Sequence, residues 1–324
     1  MCKHFNYIDL AKGLAIVLVV MGHGPFPFHA ALEFFHMPLW FILAGLTFKP
    51  TLDWGTFLLK KTNRLLVPWV TFTIVGSVIL YLFNYNAFFP IWFLHSLFCA
   101  LIIVNFLFSS FPQKTLTSIM GVVVLGGGSY VLCHYRIDIL PFNLGRSLNA
   151  ASFLLIGYII QTSGLMEYLK EKSNLILGIL AMLLFVLFVG VYYNNSLFYD
   201  YSSIAYGTLK TFKVGIISFY IMAVSASMGL ITICLILDHV KFFNWLGMNS
   251  MTILIVHASI LELILYILNV AGLLKIDILP LYMCLCVMIY VCTFLLCSPF
   301  VVFFKKMLPK FTGYADLITN NSKK

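Results

Sequence analysis

Long apolar runs, interrupted at short intervals by Gly, Pro and small clusters of charge, follow one another along almost the whole chain. An α-helix needs roughly 20 such residues to cross the hydrocarbon of a bilayer. The runs place ten spans near 7–26, 34–49, 67–84, 90–110, 115–133, 148–163, 174–193, 214–237, 251–271 and 279–304. In lipid each backbone polar group must be paired within its own segment, so runs of this kind become helices. The pattern predicts an all-α polytopic membrane bundle, with one membrane-embedded domain over 1–324 and a short basic tail from about 305. No connection reaches the roughly 50 residues of a soluble domain, so any chemistry has to sit in or beside the bilayer. The Tyr-rich stretch 192–213 breaks the pattern and reads as partly re-entrant. The first apolar run, Leu14 to Met21, ends in Gly22-His23-Gly24-Pro25 and not in a small-residue cleavage site, so it is expected to be retained as a span.

Composition sharpens this picture. Hydrophobic residues make up 62% of the 324 positions and charged residues 10%, against about 25% charged in soluble domains, which excludes a soluble fold. The net charge of +9 does not call for nucleic acid, because Lys and Arg gather in cytoplasmic loops of membrane proteins. With a cytoplasmic N-terminus, fifteen of the twenty Lys and Arg fall inside; Arg136, Arg146, Lys210, Lys213 and Lys275 fall outside. That bias predicts both termini in the cytoplasm and a multi-pass protein of the inner membrane. Six of the eight cysteines lie in apolar runs, where a thiol behaves as a small hydrophobe. Neither a disulfide framework nor a metal site is expected.

Ionisable residues inside spans are costly and usually face a cavity or a partner. Lys12 and His23, eleven residues apart, fall within about 20° of one face and about 16 Å apart along a helix, and Asp9 is spaced to pair with Lys12. Snorkelling of Lys12 and helix-end capping by His23 would account for the same residues without chemistry. The next segment returns His36, with Glu33, to the depth of His23. An imidazole oriented by a second polar group is what a general base needs; a structural His36 and an exposed Glu33 are the plainer alternatives. Lys60, Lys61 and Arg64 form a basic turn at the cytoplasmic entry of the third span, which the positive-inside bias alone also explains.

Five pieces, in order, resemble the acyltransferase 3 superfamily, more narrowly its fucose 4-O-acetylase type of membrane carbohydrate O-acetyltransferase. They are Asp9-x-x-Lys12-Gly13 with His23, Phe35-His36-Met37-Pro38-Leu39-x-Phe41 with Ala44-Gly45, and Lys60-Lys61-x-x-Arg64-Leu65-x-x-Pro68-Trp69. Pro90-Ile91-Trp92-Phe93-Leu94-x-Ser96-Leu97-Phe98 and Leu246-Gly247-x-Asn249-Ser250-x-x-x-Leu254-x-x-His257 complete the set. The resemblance implies acyl transfer from cytoplasmic acetyl-CoA, a substrate and not a permanently bound cofactor, to a hydroxyl of a carbohydrate or lipid-linked glycan. It makes His23 the base, Lys12 its motif partner, and Lys61 and Arg64 the donor-binding pair, with Lys60 beside them; Glu33 and His36 stand as further catalytic candidates from their position alone. Because the pantetheine arm is long, a coenzyme held at the inner surface would present its thioester near His23. Imidazole can also act as a nucleophile, and the sequence does not separate the two routes. Two departures stand out: Ala44-Gly45 replaces a frequent Ser-Gly, and Lys61 replaces an Arg, keeping the charge but losing the bidentate fork.

The acceptor is expected from the outer half, near Arg136, Asp138 and Arg146 of one outer loop and Tyr193, Tyr199 and Tyr201 of the Tyr-rich stretch. An interfacial aromatic belt would account for such tyrosines without a ligand. The alternative of another class is a transporter or flippase for a polar or anionic solute, whose usual inverted repeats are not visible here.

Overall fold

A computed structural model of the chain describes residues 6–82, 92–111, 113–134, 144–196, 215–274 and 279–318. Among these residues there is no strand. The helices are α1 (Asn6–His23), α2 (His29–Glu33), α3 (His36–Leu46), α4 (Trp54–Lys61), α5 (Val67–Leu82), α6 (Trp92–Ser110), α7 (Lys114–His134), α8 (Leu144–Thr162), α9 (Leu165–Lys170), α10 (Asn174–Ser196), α11 (Ile216–Leu237), α12 (Lys241–Met248), α13 (Ser250–Val270) and α14 (Leu279–Met307). A π-helical turn, Thr62–Leu66, joins α4 to α5.

Every predicted span overlaps a helix. Among the described residues, eight helical segments are long and apolar enough to cross a membrane, α2 and α3 counting as one. The two predicted spans outside that group are α5, which has 16 residues, and α8, whose first half carries Arg146, Ser147, Asn149 and Ser152. The second span starts earlier than its apolar pattern suggests, at His29, and is broken at Phe34 and Phe35.

The helices gather into two compact units. One contains α1, α2, the start of α3 to Trp40, α9 from Met166, α10 to α13, and α14 as far as Phe303. Here α1 packs on α11, α12 and α13. Lipid tails are as apolar as leucine, so helices in a bilayer associate through close packing and hydrogen bonds, with small residues at the contacts. The α1–α12 contact is of this kind. A Cβ on Gly13 would run into the Phe243 carbonyl, and one on Gly247 into the Asp9 carbonyl. Asn244 donates from Nδ2 to the Asn6 carbonyl at 2.9 Å, fixing the same pair of helices at the start of α1. Of the membrane-length window of α11, 61% is buried, against 17% for α10, so α10 is the lipid-facing member of that pair.

The other unit contains α3 from Phe41, α4 to α8, and the chain from Phe304 onward. Helix α8 packs on α6 and α7, and on α3 through a second glycine pair: a Cβ on Gly45 would meet the Leu154 carbonyl, and one on Gly157 the Ile42 carbonyl. Gly45 is therefore required by backbone approach. The preceding motif position, Ala44 here, is only partly buried. Asn105 of α6 pairs with both backbone groups of Thr51, each at 3.0 Å, and Asp53 caps α4 by accepting from Thr56 N at 3.0 Å.

Candidate active site

Three imidazoles meet at the end of α1. The His23 and His257 rings are edge to face, 5.1 Å between centroids, and a Cβ on Gly22 would sit 3.9 Å from the His36 ring. Each ring is fixed by its own helix: His23 Nδ1 lies 2.8 Å from the Val19 carbonyl, His36 Nδ1 2.8 Å from that of Leu32, and His257 Nδ1 3.0 Å from those of Ile253 and Leu254. A carbonyl can only accept, so Nδ1 is the donor in all three, and the lone pair of the neutral ring is on Nε2. His36 and His257 are buried and His23 is exposed. His257 Nε2 is buried without a hydrogen-bond partner, an expensive state for an acceptor unless a donor arrives from outside the chain.

Lys12 lies 3.6 Å from Asp9, as the spacing predicts. The Lys12 side chain is one-third exposed, so the pair adds little stability. Glu33 is the last residue of α2 and half-buried, with the imidazole of His29 nearby. The catalytic candidates taken from the sequence do not include His257. Its place in the fifth motif was the available signal; contact with α1 across two helices is not legible from spacing.

The backbone that carries His23 is held from α14. Tyr282 donates to the Pro25 carbonyl at 2.7 Å, Cys286 Sγ–H points to the same oxygen at 3.2 Å, and Tyr290 reaches the Met21 carbonyl at a longer 3.4 Å. Gly24 lies against the Tyr290 ring, where a Cβ would come within 2.6 Å. Gly24→Val should push Tyr290 aside and release this clamp. Displacements near 1 Å can cost about 10²-fold in rate, so the expected result is a fall of that order in turnover with an unchanged amount of inserted protein; turnover at the wild-type level would show that the clamp does not set the position of His23.

The basic turn belongs to the second unit. Lys60 and Lys61 close α4 and Arg64 lies in the π turn, where Val67 N–H bonds five residues back to the Thr62 carbonyl. Single π turns are rare and concentrate at functional sites. Lys60 and Arg64 are exposed and Lys61 is half-buried. Burial holds the Lys61 ammonium below the ordinary lysine range, and the charges of Lys60 and Arg64 push the same way. The three like charges of this turn repel one another.

Nearby motif residues also meet. The Trp69 and His95 rings are 5.3 Å apart, Phe93 lies 5.3 Å from Phe41, and the Arg146 guanidinium stands 5.0 Å from the Trp92 ring. Arg146 was expected in an outer loop; it lies in the first turn of α8, because an Arg at the head of a helix can lay its planar cation on an aromatic face. Tyr193 lies within α10, exposed, edge-on to Tyr192. Tyr192 in turn lies 5.8 Å from Phe34, next to Glu33. Arg136, Asp138, Tyr199 and Tyr201 fall outside the described residues. The described residues contain no group of three or more His, Cys, Asp or Glu placed to hold a metal ion.

A family model described as an acyltransferase domain matches residues 5–298. No curated protein and no solved structure matches the chain.

Proposed function

The chain belongs to the acyltransferase 3 family, and from that premise we infer that it moves an acetyl group from acetyl-CoA to a hydroxyl of a carbohydrate or lipid-linked glycan. Its class is given by the family: a membrane O-acyltransferase that transfers groups other than aminoacyl. The observation that carries the finer reading is the fixed tautomer of His23, with its lone pair on Nε2. In this reading Nε2 takes the proton of the acceptor hydroxyl as that oxygen attacks the thioester carbonyl. The C–S bond breaks, coenzyme A leaves as the thiolate, and the imidazolium returns the proton to the thiolate or to water. The Val19 carbonyl keeps the ring oriented throughout, because it accepts from Nδ1–H in both charge states.

The donor's phosphates are assigned to Lys60, Lys61 and Arg64, supported by the uncompensated charge of that turn. The fifteen-to-five bias of basic residues supports a cytoplasmic location for the turn and an inner-membrane protein. The acceptor is assigned to the side of Glu33, where the half-buried Tyr192 and the exposed Tyr193 offer flat faces suited to a sugar ring. The resemblance to fucose 4-O-acetylases supports a carbohydrate.

Neutralising Lys61 and Arg64 together, as Lys61→Gln with Arg64→Gln, should raise KM for acetyl-CoA and leave KM for the acceptor nearly unchanged. Salt should do the same to the wild type, because exposed charges are screened within about 8 to 10 Å at ordinary ionic strength. The depressed pKa of Lys61 has a sign that can be tested. Its positive charge is lost at lower pH than an ordinary lysine's, so donor affinity should decline on the alkaline side before the usual value near 10.4 is reached. Equal losses for donor and acceptor would remove these cations from donor binding.

A further inference from the structure

The family match ends at residue 298, yet the chain beyond it is built into the basic turn. After α14 the backbone folds on itself: Thr312 N and Oγ1 both donate to the Leu308 carbonyl, at 3.2 and 2.9 Å, and Ala315 N donates to Pro309 O at 2.8 Å. Gly313, at φ +74°, makes the reversal that an L side chain resists. From there the chain crosses the π turn. Asn63, directly before Arg64 and 1% exposed, turns both ends of its side-chain amide to it. Its Nδ2 donates to the Ile318 carbonyl at 2.8 Å, and its Oδ1 accepts from Leu317 N at 3.0 Å and Ile318 N at 2.8 Å.

Two further contacts close the arrangement. A Cβ on Gly313 would lie 3.1 Å from the Arg64 carbonyl oxygen and 3.3 Å from the Pro68 ring, so the reversal is seated on the backbone of the turn. Lys305 stands 5.2 Å from the Tyr314 ring and Phe304 lies 5.2 Å from Phe72, tying the strap to the end of α14 and to α5. A buried Asn that satisfies three backbone groups is costly to remove, because each group left behind loses its partner. Lys60 and Arg64 stay exposed while Asn63, one of the two residues between Lys61 and Arg64, is locked.

We propose that residues 308–318 form a positioning strap that holds the Lys61-x-x-Arg64 turn in its π-helical shape and thereby sets affinity for the phosphates of the acyl donor. Asn63 is the positioning residue at its centre. The π turn widens the helix by one residue, which changes the angle between Lys61 and Arg64, and with it the spacing of the cations that an anion meets. Without the strap the turn is free to revert to regular helix and the cations lose their common target. The proposal rests on the assignment of the donor to this turn.

The test uses the full-length protein in nanodiscs with coenzyme A as the probe, and compares wild type with Gly313→Val, Asn63→Ala and a chain stopped after Met307. Coenzyme A affinity and amide exchange across 61–66 are read side by side. The expected result is affinity weakened about tenfold in all three variants, faster exchange in the turn, and an acceptor KM at the wild-type value. Affinity within about twofold of wild type in Gly313→Val and in the shortened chain would overturn the strap, as would unchanged exchange in the turn. Loss of folding in both would overturn it too, since the segment would then hold the fold and not the turn. A wild type that does not bind coenzyme A refutes the donor assignment instead, and the exchange comparison alone then decides whether the segment shapes the turn.

Discussion

His23→Ala lowers acyl transfer by about 10²- to 10⁴-fold, the usual cost of removing a general base, while the protein inserts and folds as before. The second half of that expectation comes from the structure. The His23 ring is exposed, its Nδ1 bonds to a carbonyl of its own helix, and the packed core of α1 is made by Ile16, Val19 and Val20 against α12, α13 and α14. Truncating the ring leaves those contacts in place. The measurement is turnover per folded molecule, with folding read from a monodisperse peak and a melting curve. An inserted His23→Ala protein that turns over at the wild-type rate would remove His23 from the chemistry, and the neighbouring His36 and His257 would become the bases to test.

Gly13→Val and Gly247→Val each abolish the folded protein or lower its melting temperature sharply. At both positions the obstacle is backbone, the carbonyl of Phe243 for Gly13 and that of Asp9 for Gly247. A side chain can rotate away; a helix backbone has to move as a whole. The cost should therefore lie at or above the roughly 1–3 kcal/mol of ordinary core overpacking. Gly178→Val and Gly190→Val serve as controls, since a Cβ at either position meets nothing within 4 Å. Those two changes should leave the melting curve close to wild type, and a similar loss in all four would point to helix propensity, not helix approach, as the cause.

These glycines show how far the sequence reaches. Gly13 belongs to the first motif and Gly247 to the fifth, and in the fold each presses on the other's helix. Likewise Gly45 of the second motif meets Gly157, a residue in none of the motifs. Pattern and composition by themselves determined the class of fold and nearly every span, because the length of an apolar helix is imposed by bilayer thickness and each run can be read locally. They also identified Lys12, His23 and the basic turn, since a charge within or beside an apolar run stands out from its neighbours. Only the tertiary structure decided which motifs meet. The His23–His257 contact, the hold of Tyr282 on the Pro25 carbonyl and the grip of Asn63 on Leu317 and Ile318 join residues more than 230 positions apart in the chain. Such pairings depend on which faces of two helices approach each other. In lipid, where apolar burial is nearly the same for every face, that choice is made by the small residues and hydrogen bonds at the contacts, and a periodicity confined to one helix carries no record of it.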